Sequence, residues 1–285
     1  MSEPTILLLD TDPRPVPLLA HRLGAKVVAC RTVEDALSRA RDGDISMAIG
    51  EAAFAGDFDG LDALGELQAR GIPSILWTSR NIDELVGPAR QAGIGVLSAK
   101  TTPLLLDELA LAWTLHTKGW EPGLSKFLGP ASESLGTEGA VALDQISQLC
   151  RRIQSGLEGV LGSSRRLRLV LDEMLSNAIH HSPLGTATVS WGRDATKHVF
   201  SVRDQSGALH PGETLRLLDR HIRGEGLLDS RGRGLHLSRI YADRLYVNVV
   251  PGRITEVAAV FWNQSGAHQG FKPVWMLRTN LAREA

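Results

Sequence analysis

Apolar and polar positions alternate in two distinct ways along the chain. Between residues 5 and 118, short unbroken apolar runs are separated by amphipathic stretches. Ile6-Leu7-Leu8-Leu9, Lys26-Val27-Val28-Ala29-Cys30, Ile45-Ser46-Met47-Ala48-Ile49, Pro73-Ser74-Ile75-Leu76-Trp77 and Gly95-Val96-Leu97-Ser98 have the length and continuity of strands buried on both faces. Residues 15–23, 32–42, 61–70, 82–92 and 103–116 between them repeat apolar positions at helical spacing. Thr32 is placed to cap one of these helices, and Pro103 to sit in the first turn of another. Five strand–helix units without hairpin signals predict an α/β domain over 1–118, with a doubly wound, five-stranded parallel sheet. Its site is expected at the carboxyl ends of the strands, where Asp10, Thr11, Asp12, Glu51, Thr78 and Lys100 fall.

The second regime is α+β. Residues 119–139 are rich in Gly, Pro and Ser and read as a linker or irregular connection, so the second domain is expected over 140–285. Residues 140–161 have helical periodicity, and Ser163 or Ser164 is placed to cap the next helix. In that helix Leu171, Met174, Leu175, Ala178 and Ile179 make a core face. Glu173, Asn177 and His181, four apart, line up on another. Alternating strands follow at 186–191 and 198–203, then an excursion from Leu209 to Arg231 of the kind that forms lids. A Gly232-Arg233-Gly234-Leu235 turn opens a further helix, and 245–250 with 254–262 reads as an antiparallel hairpin. The apolar tail, 271–277, is suited to packing on a domain or on a second subunit, which leaves a homodimer open.

An acid, an amide and an imidazole on one helix face suit a magnesium–phosphate site, because Mg²⁺ takes hard oxygens and keeps several waters. Asn177 has a carbonyl oxygen to offer the ion, and Glu173 a carboxylate to orient or deprotonate a hydroxyl. An ordinary polar helix face has the same pattern. Asp204, just past a strand and followed by Gly207, is placed to accept a hydrogen bond from an exocyclic amine, although Asp-x-Ser-Gly is also a common turn. Glycines opening a helix let backbone N–H groups approach phosphates. Arg216, Arg220, Arg223 and Arg231 suit either phosphate charge or a solvated face.

Composition narrows the class. The 285 residues are 43% hydrophobic and 22% charged, as in globular proteins. No apolar run has bilayer-spanning length, and the N-terminus lacks a basic region or cleavage site. Two cysteines, Cys30 and Cys150, fit reduced thiols and a cytoplasmic location, and no Cys/His cluster has zinc-ligand spacing. The net charge is −1, but residues 1–118 hold about 11 basic against about 16 acidic side chains, and the rest carries a basic excess. Without aromatic interleaving or a helix-turn-helix, the basic stretch from Arg216 to Arg253 favours polyphosphate over nucleic acid.

The order and spacing of residues 4–118 resemble the receiver domain of bacterial response regulators. That resemblance implies a site of Asp10, Asp12, Thr78 and Lys100. Glu51 stands where the phospho-acceptor Asp is usual and Thr11 where a second acid is usual. The implied reading is a pseudo-receiver that is not phosphorylated and serves partner binding or dimerisation. Over residues 140–262, the order Glu-x-x-x-Asn-Ala, two strands, Asp-x-x-Gly, lid, Gly-x-Gly-Leu and two strands resembles the GHKL ATPase domain, an α+β sandwich also called the Bergerat fold. Within that family it is most similar to anti-sigma-factor serine kinases. The resemblance implies Mg²⁺ on Asn177, Glu173 as the catalytic acid–base group, and Asp204 with Thr255 at adenine. It implies phosphates near His181, Arg231, Gly232, Gly234 and Leu235, with Gly207 easing the adenine-side turn. Ser206 and Ala208 replace the usual glycines of Asp-x-Gly-x-Gly. The implied function is a bacterial signalling serine/threonine kinase using Mg-ATP and acting on a protein partner, an antagonist or a sigma factor, with no membrane or nucleic acid involved. A catalytically inactive nucleotide-sensing scaffold is the alternative. A histidine kinase feeding a phosphorelay through another chain is a third, weakened because no phospho-histidine motif precedes the ATPase-like stretch.

Overall fold

Unbroken apolar runs become central strands because both of their faces are covered. The computed structural model of the chain describes residues 3–53, 56, 58–100, 105–121, 123–129, 132–155, 164–225, 233–263 and 272–278. It divides into two units, Met1–Thr117 and Lys118–Ala285. In the first, β1 (Thr5–Leu9), α1 (Val16–Leu23), β2 (Lys26–Cys30), α2 (Val33–Asp42), β3 (Ile45–Gly50), α3 (Asp59–Ala69), β4 (Ser74–Thr78), α4 (Ile82–Gln91), β5 (Val96–Ala99) and α5 (Leu105–Lys118) alternate. The strands are parallel, in the order β2-β1-β3-β4-β5. Ile6, Leu7, Leu8 and Leu9 are all fully buried, so successive side chains enter opposite covered faces. The Thr32 hydroxyl accepts the Asp35 N–H at 3.1 Å and caps α2. Pro103 lies outside the described residues.

The second unit holds β6 (Glu133–Val141), α6 (Ile146–Ser155), α7 (Ser164–His181), β7 (Ala187–Arg193), β8 (Lys197–Asp204), α8 (Pro211–Ile222), α9 (Arg233–Tyr241), β9 (Arg244–Val250), β10 (Ile254–Trp262) and β11 (Val274–Arg278). Its strands run β11-β9-β10-β8-β7-β6. All neighbours are antiparallel except β11, which lies parallel to β9. Leu167, Val170, Leu171, Met174 and Leu175 of α7 pack on Val189, Phe200, Val202, Ala259 and Phe261 of the sheet. Cys30 and Cys150 are buried free thiols, each pushed up to about 12 by burial.

Two sequence expectations change here. Residues 133–139, read as part of a linker, belong to the edge strand β6. Trp120, Leu124 and Phe127 of the same stretch are buried. The helix expected over 140–161 is described only as a short 3-10 turn, Leu143–Gln145, and α6, with Val141 ending β6. Of the two residues placed to cap α7, Ser164 is its first residue, and Ser163, just before it, lies outside the described residues.

The opposite face of the second sheet is polar at its centre. Glu256 is fully buried there, flanked in register by Arg203 on β8 and Asn248 on β9. It accepts hydrogen bonds from Trp120 Nε1 at 2.7 Å and the Ser201 hydroxyl at 2.7 Å, and pairs with Lys126 at 3.0 Å. The stretch after α5 is thus clamped onto this sheet by a buried ion pair and two large aromatic side chains.

Candidate functional site

Helix α7 lays one face on the core and turns Glu173 and Asn177 toward α9. Gly234, in the first turn of α9, comes so close that a Cβ there would lie 2.4 Å from Glu173 Oε2 and 2.8 Å from Asn177 Nδ2. The acid, the amide and the helix-opening glycine therefore meet at one point. Glu173 is half-buried and Asn177 exposed. Leu235 is partly buried, with its side chain packed against the core. His181, the last residue of α7, is exposed. Arg231 and Gly232 lie outside the described residues.

The far end is built on the sheet. Along β8, Asp204 follows Phe200 and Val202 at every second position and shares their face, the one α7 covers. Thr255 of β10 is its register partner. Both are buried. Thr255 Oγ1 has no hydrogen-bond partner among the described residues. Leaving a buried hydroxyl unpaired costs about 1–3 kcal/mol, which a ligand group offering a hydrogen bond would recover. The Asp204 carboxylate accepts from Ser206 N–H at 2.8 Å and from the Ser206 hydroxyl at 2.5 Å. Gly207 has φ +54°, and a Cβ on it would lie 2.2 Å from the Val250 carbonyl oxygen and 2.4 Å from the Arg253 nitrogen. This close approach holds the turn after Asp204 against the β9–β10 turn. A carboxylate and a hydroxyl at one end, with an amide, an acid and a close-packed helix start near the other, fit the donors and acceptors of a magnesium nucleotide. Among the described residues no group of three or more His, Cys, Asp or Glu is placed to hold a metal ion.

The lid-like stretch opens with α8, which buries Leu215 and Leu218. Arg216 pairs with Glu213 within the helix, and Arg223, its C-terminal cap residue, pairs back with Asp219.

In the first unit Asp10, Glu51, Thr78 and Lys100 meet at the carboxyl ends of the strands. Lys100 Nζ lies 2.6 Å from Asp10 Oδ2 and 2.9 Å from Glu51 Oε2. The Thr78 hydroxyl and the Ser79 N–H, at 3.0 Å, donate to the same Glu51 carboxylate. Burial opposes ionisation of Glu51, but bonds from Thr78, Lys100 and the Ala52 N–H outweigh it and hold the carboxyl below its ordinary range. Asp12 turns outward onto Arg14, whose side-chain bond to it takes its carboxyl down to about 2. Sequence reasoning missed Ser79 and the Trp120–Lys126–Glu256 cluster. The signals were an acid in a largely apolar strand and large apolar residues at 120, 124 and 127, a helix-like spacing inside a supposed linker.

Two kinds of similarity accompany this geometry. The chain is similar to the receiver domain of the Francisella response regulator 1452, with 18% identity, a TM-score of 0.34, and coverage of 40% of this chain and 95% of that one. It is similar to a CheY-like receiver domain protein from Methanospirillum hungatei, with 20% identity, a TM-score of 0.36, and coverage of 42% and 100%. The signal receiver domain of a LuxO-type repressor protein from Vibrio parahaemolyticus gives 21%, 0.35, 40% and 90%. The second similarity is to a family model, which matches residues 140–259 and is described as the histidine kinase-like ATPase domain. That match implies ATP as the ligand of the second unit, generally with Mg²⁺. Residues 140–259 carry a histidine kinase-like ATPase domain.

Proposed function

We propose that the second unit binds Mg-ATP with its phosphates between α7 and α9 and its base against Asp204 and Thr255. We further propose that the chain is a signalling kinase that phosphorylates Ser or Thr of a protein partner of the anti-sigma-factor pathway type. The observation carrying the reading is the meeting of Glu173, Asn177 and Gly234 at one point. Asn177 would offer its carbonyl oxygen to magnesium, and the α9 start would offer N–H groups and the positive end of the helix dipole to phosphate oxygens. Magnesium supplies charge neutralisation on the phosphates when bound. Glu173 would take the proton from an acceptor hydroxyl. Positioning and charge dominate such transfers, which fits a site with few reactive groups.

The first unit is read as a regulatory pseudo-receiver. The acidic pair Asp10 and Glu51 is already neutralised by Lys100, and Glu51 already receives Thr78 and Ser79. The same saturation, with Ser206 and Ala208 at glycine positions of the adenine-side motif, favours the second reading, a nucleotide-sensing scaffold without transfer.

Calorimetric titration of Mg-ATP into the wild type and Asn177→Ala tests the site. Magnesium-dependent binding should vanish in the variant, and unchanged affinity would remove Asn177 from the site. Label transferred from γ-phosphate to a partner in acid-stable form supports Ser/Thr kinase activity, and binding without transfer supports the scaffold.

A further inference from the structure

We propose that Ser206 is a positioning residue for base recognition: its hydroxyl locks the Asp204 carboxylate so that one oxygen alone remains to read the amine of an adenine nucleotide. The inference rests on the reading of the second unit as an ATP site. It concerns a side chain that stands where a glycine is usual in the resembling family.

The geometry is a directed chain of hydrogen bonds. The Ala208 N–H donates to Ser206 Oγ at 3.1 Å. With its acceptor side used in this way, the Ser206 hydroxyl sends its proton to Asp204 Oδ1 at 2.5 Å. The Ser206 N–H reaches the same oxygen at 2.8 Å. Donors to a charged acceptor form short, strong bonds, and such chains polarise one another in the same sense. Two donors on Oδ1 fix the carboxylate plane, which in a free aspartate turns broadly about its last torsion. Among the described residues no group donates to Oδ2. Asp204 as a whole residue is buried, which limits the room its carboxylate has to turn.

Oδ2 is therefore a single, fixed, charged acceptor facing a ligand that must bring an N–H. Its register partner Thr255 adds a buried hydroxyl without a partner among the described residues. An edge with an amine beside a ring nitrogen satisfies both, and a purine lacking the amine satisfies only Thr255. A glycine at 206 would keep the backbone N–H bond but lose the hydroxyl bond, and the carboxylate would turn more freely.

The test compares Mg-ATP with Mg-purine riboside triphosphate, which lacks the exocyclic amine, by calorimetry on the full chain. A hydrogen bond to a charged group corresponds to a preference of about tenfold or more for ATP in the wild type. Ser206→Ala should narrow that preference to about threefold or less, by weakening ATP and sparing the analogue, and Ser206→Thr should restore it. Thermal midpoints of the three proteins should agree, since a fold defect would weaken both ligands together. An unchanged preference in Ser206→Ala overturns the inference and leaves the hydroxyl as a turn-former. Equal loss of both ligands overturns it too. A wild type that binds ATP without preference removes Asp204 as the amine reader but keeps the ATP site. A wild type that binds neither ligand removes both.

Discussion

Gly207 and Gly252 sit in facing turns, and replacing each with alanine separates two costs usually measured together. Both residues have positive φ, +54° and +68°. An L-residue in that conformation costs about 1–2 kcal/mol. A Cβ on Gly252 meets nothing within 4 Å, so Gly252→Ala should show that cost alone. A Cβ on Gly207 meets three backbone atoms, the Val250 carbonyl oxygen at 2.2 Å and the Arg253 and Gly252 nitrogens at 2.4 and 2.7 Å. Backbone cannot swing aside as a side chain can, so overpacking adds about 1–3 kcal/mol. The sum for Gly207→Ala is roughly 3 kcal/mol, against about 1–2 for Gly252→Ala. For a unit of this size each kcal/mol lowers the melting midpoint by about 2–4 °C. Scanning calorimetry of the full chain should therefore place Gly207→Ala several degrees below Gly252→Ala. Because the Gly207 turn also seats Asp204, the first variant should lose nucleotide affinity and the second keep it. Midpoints within about a degree of each other would refute the close approach and the rigid seat inferred from it.

Lys126→Met removes the cation paired with the fully buried Glu256 and leaves it beside Trp120 and Ser201. Breaking such a pair costs about 3–5 kcal/mol, read as a lowered midpoint, and a change below about 1 kcal/mol would mean the clamp carries little. Glu51 is held below its ordinary carboxyl range, so it contributes stability above the unfolded value near 4.3 and loses it as pH falls through the folded value. Glu51→Gln should flatten the acid limb of the first unit's stability below about pH 4.5, and an unaltered limb would remove Glu51 as its source. Gly234→Ala pushes aside the ends of two flexible side chains, Glu173 and Asn177, so it should cost little stability yet weaken Mg-ATP binding at least tenfold. Unimpaired binding would separate α9 from the phosphates.

The first unit was legible because each of its strands carries a short, mostly apolar run and each connection holds a helix. Its strand-end residues follow from that order, and Asp10, Glu51, Thr78 and Lys100 meet as the pattern implied. Asp12 was legible in position only; that its side chain turns to Arg14 depends on a contact two residues away that no period announces. Edge strand β6 was hidden because Gly136 and Gly139 resemble linker residues. Gly136 lies under the Trp191 ring, where a Cβ would come within 2.4 Å, so the glycine serves close packing rather than chain flexibility. Trp120, Lys126 and Glu256 were hidden for another reason. They are up to 136 residues apart, and long-range polar pairing leaves no local pattern. The nearness of Gly234 to Glu173 and Asn177 came from the resemblance to a known family, not from spacing.

The most direct test of the account is a titration of the full chain with a fluorescent ATP analogue, with and without magnesium. The account predicts saturable binding that strengthens markedly with magnesium and is competed by ATP. Absence of saturable binding in both conditions, with the protein folded, would contradict it.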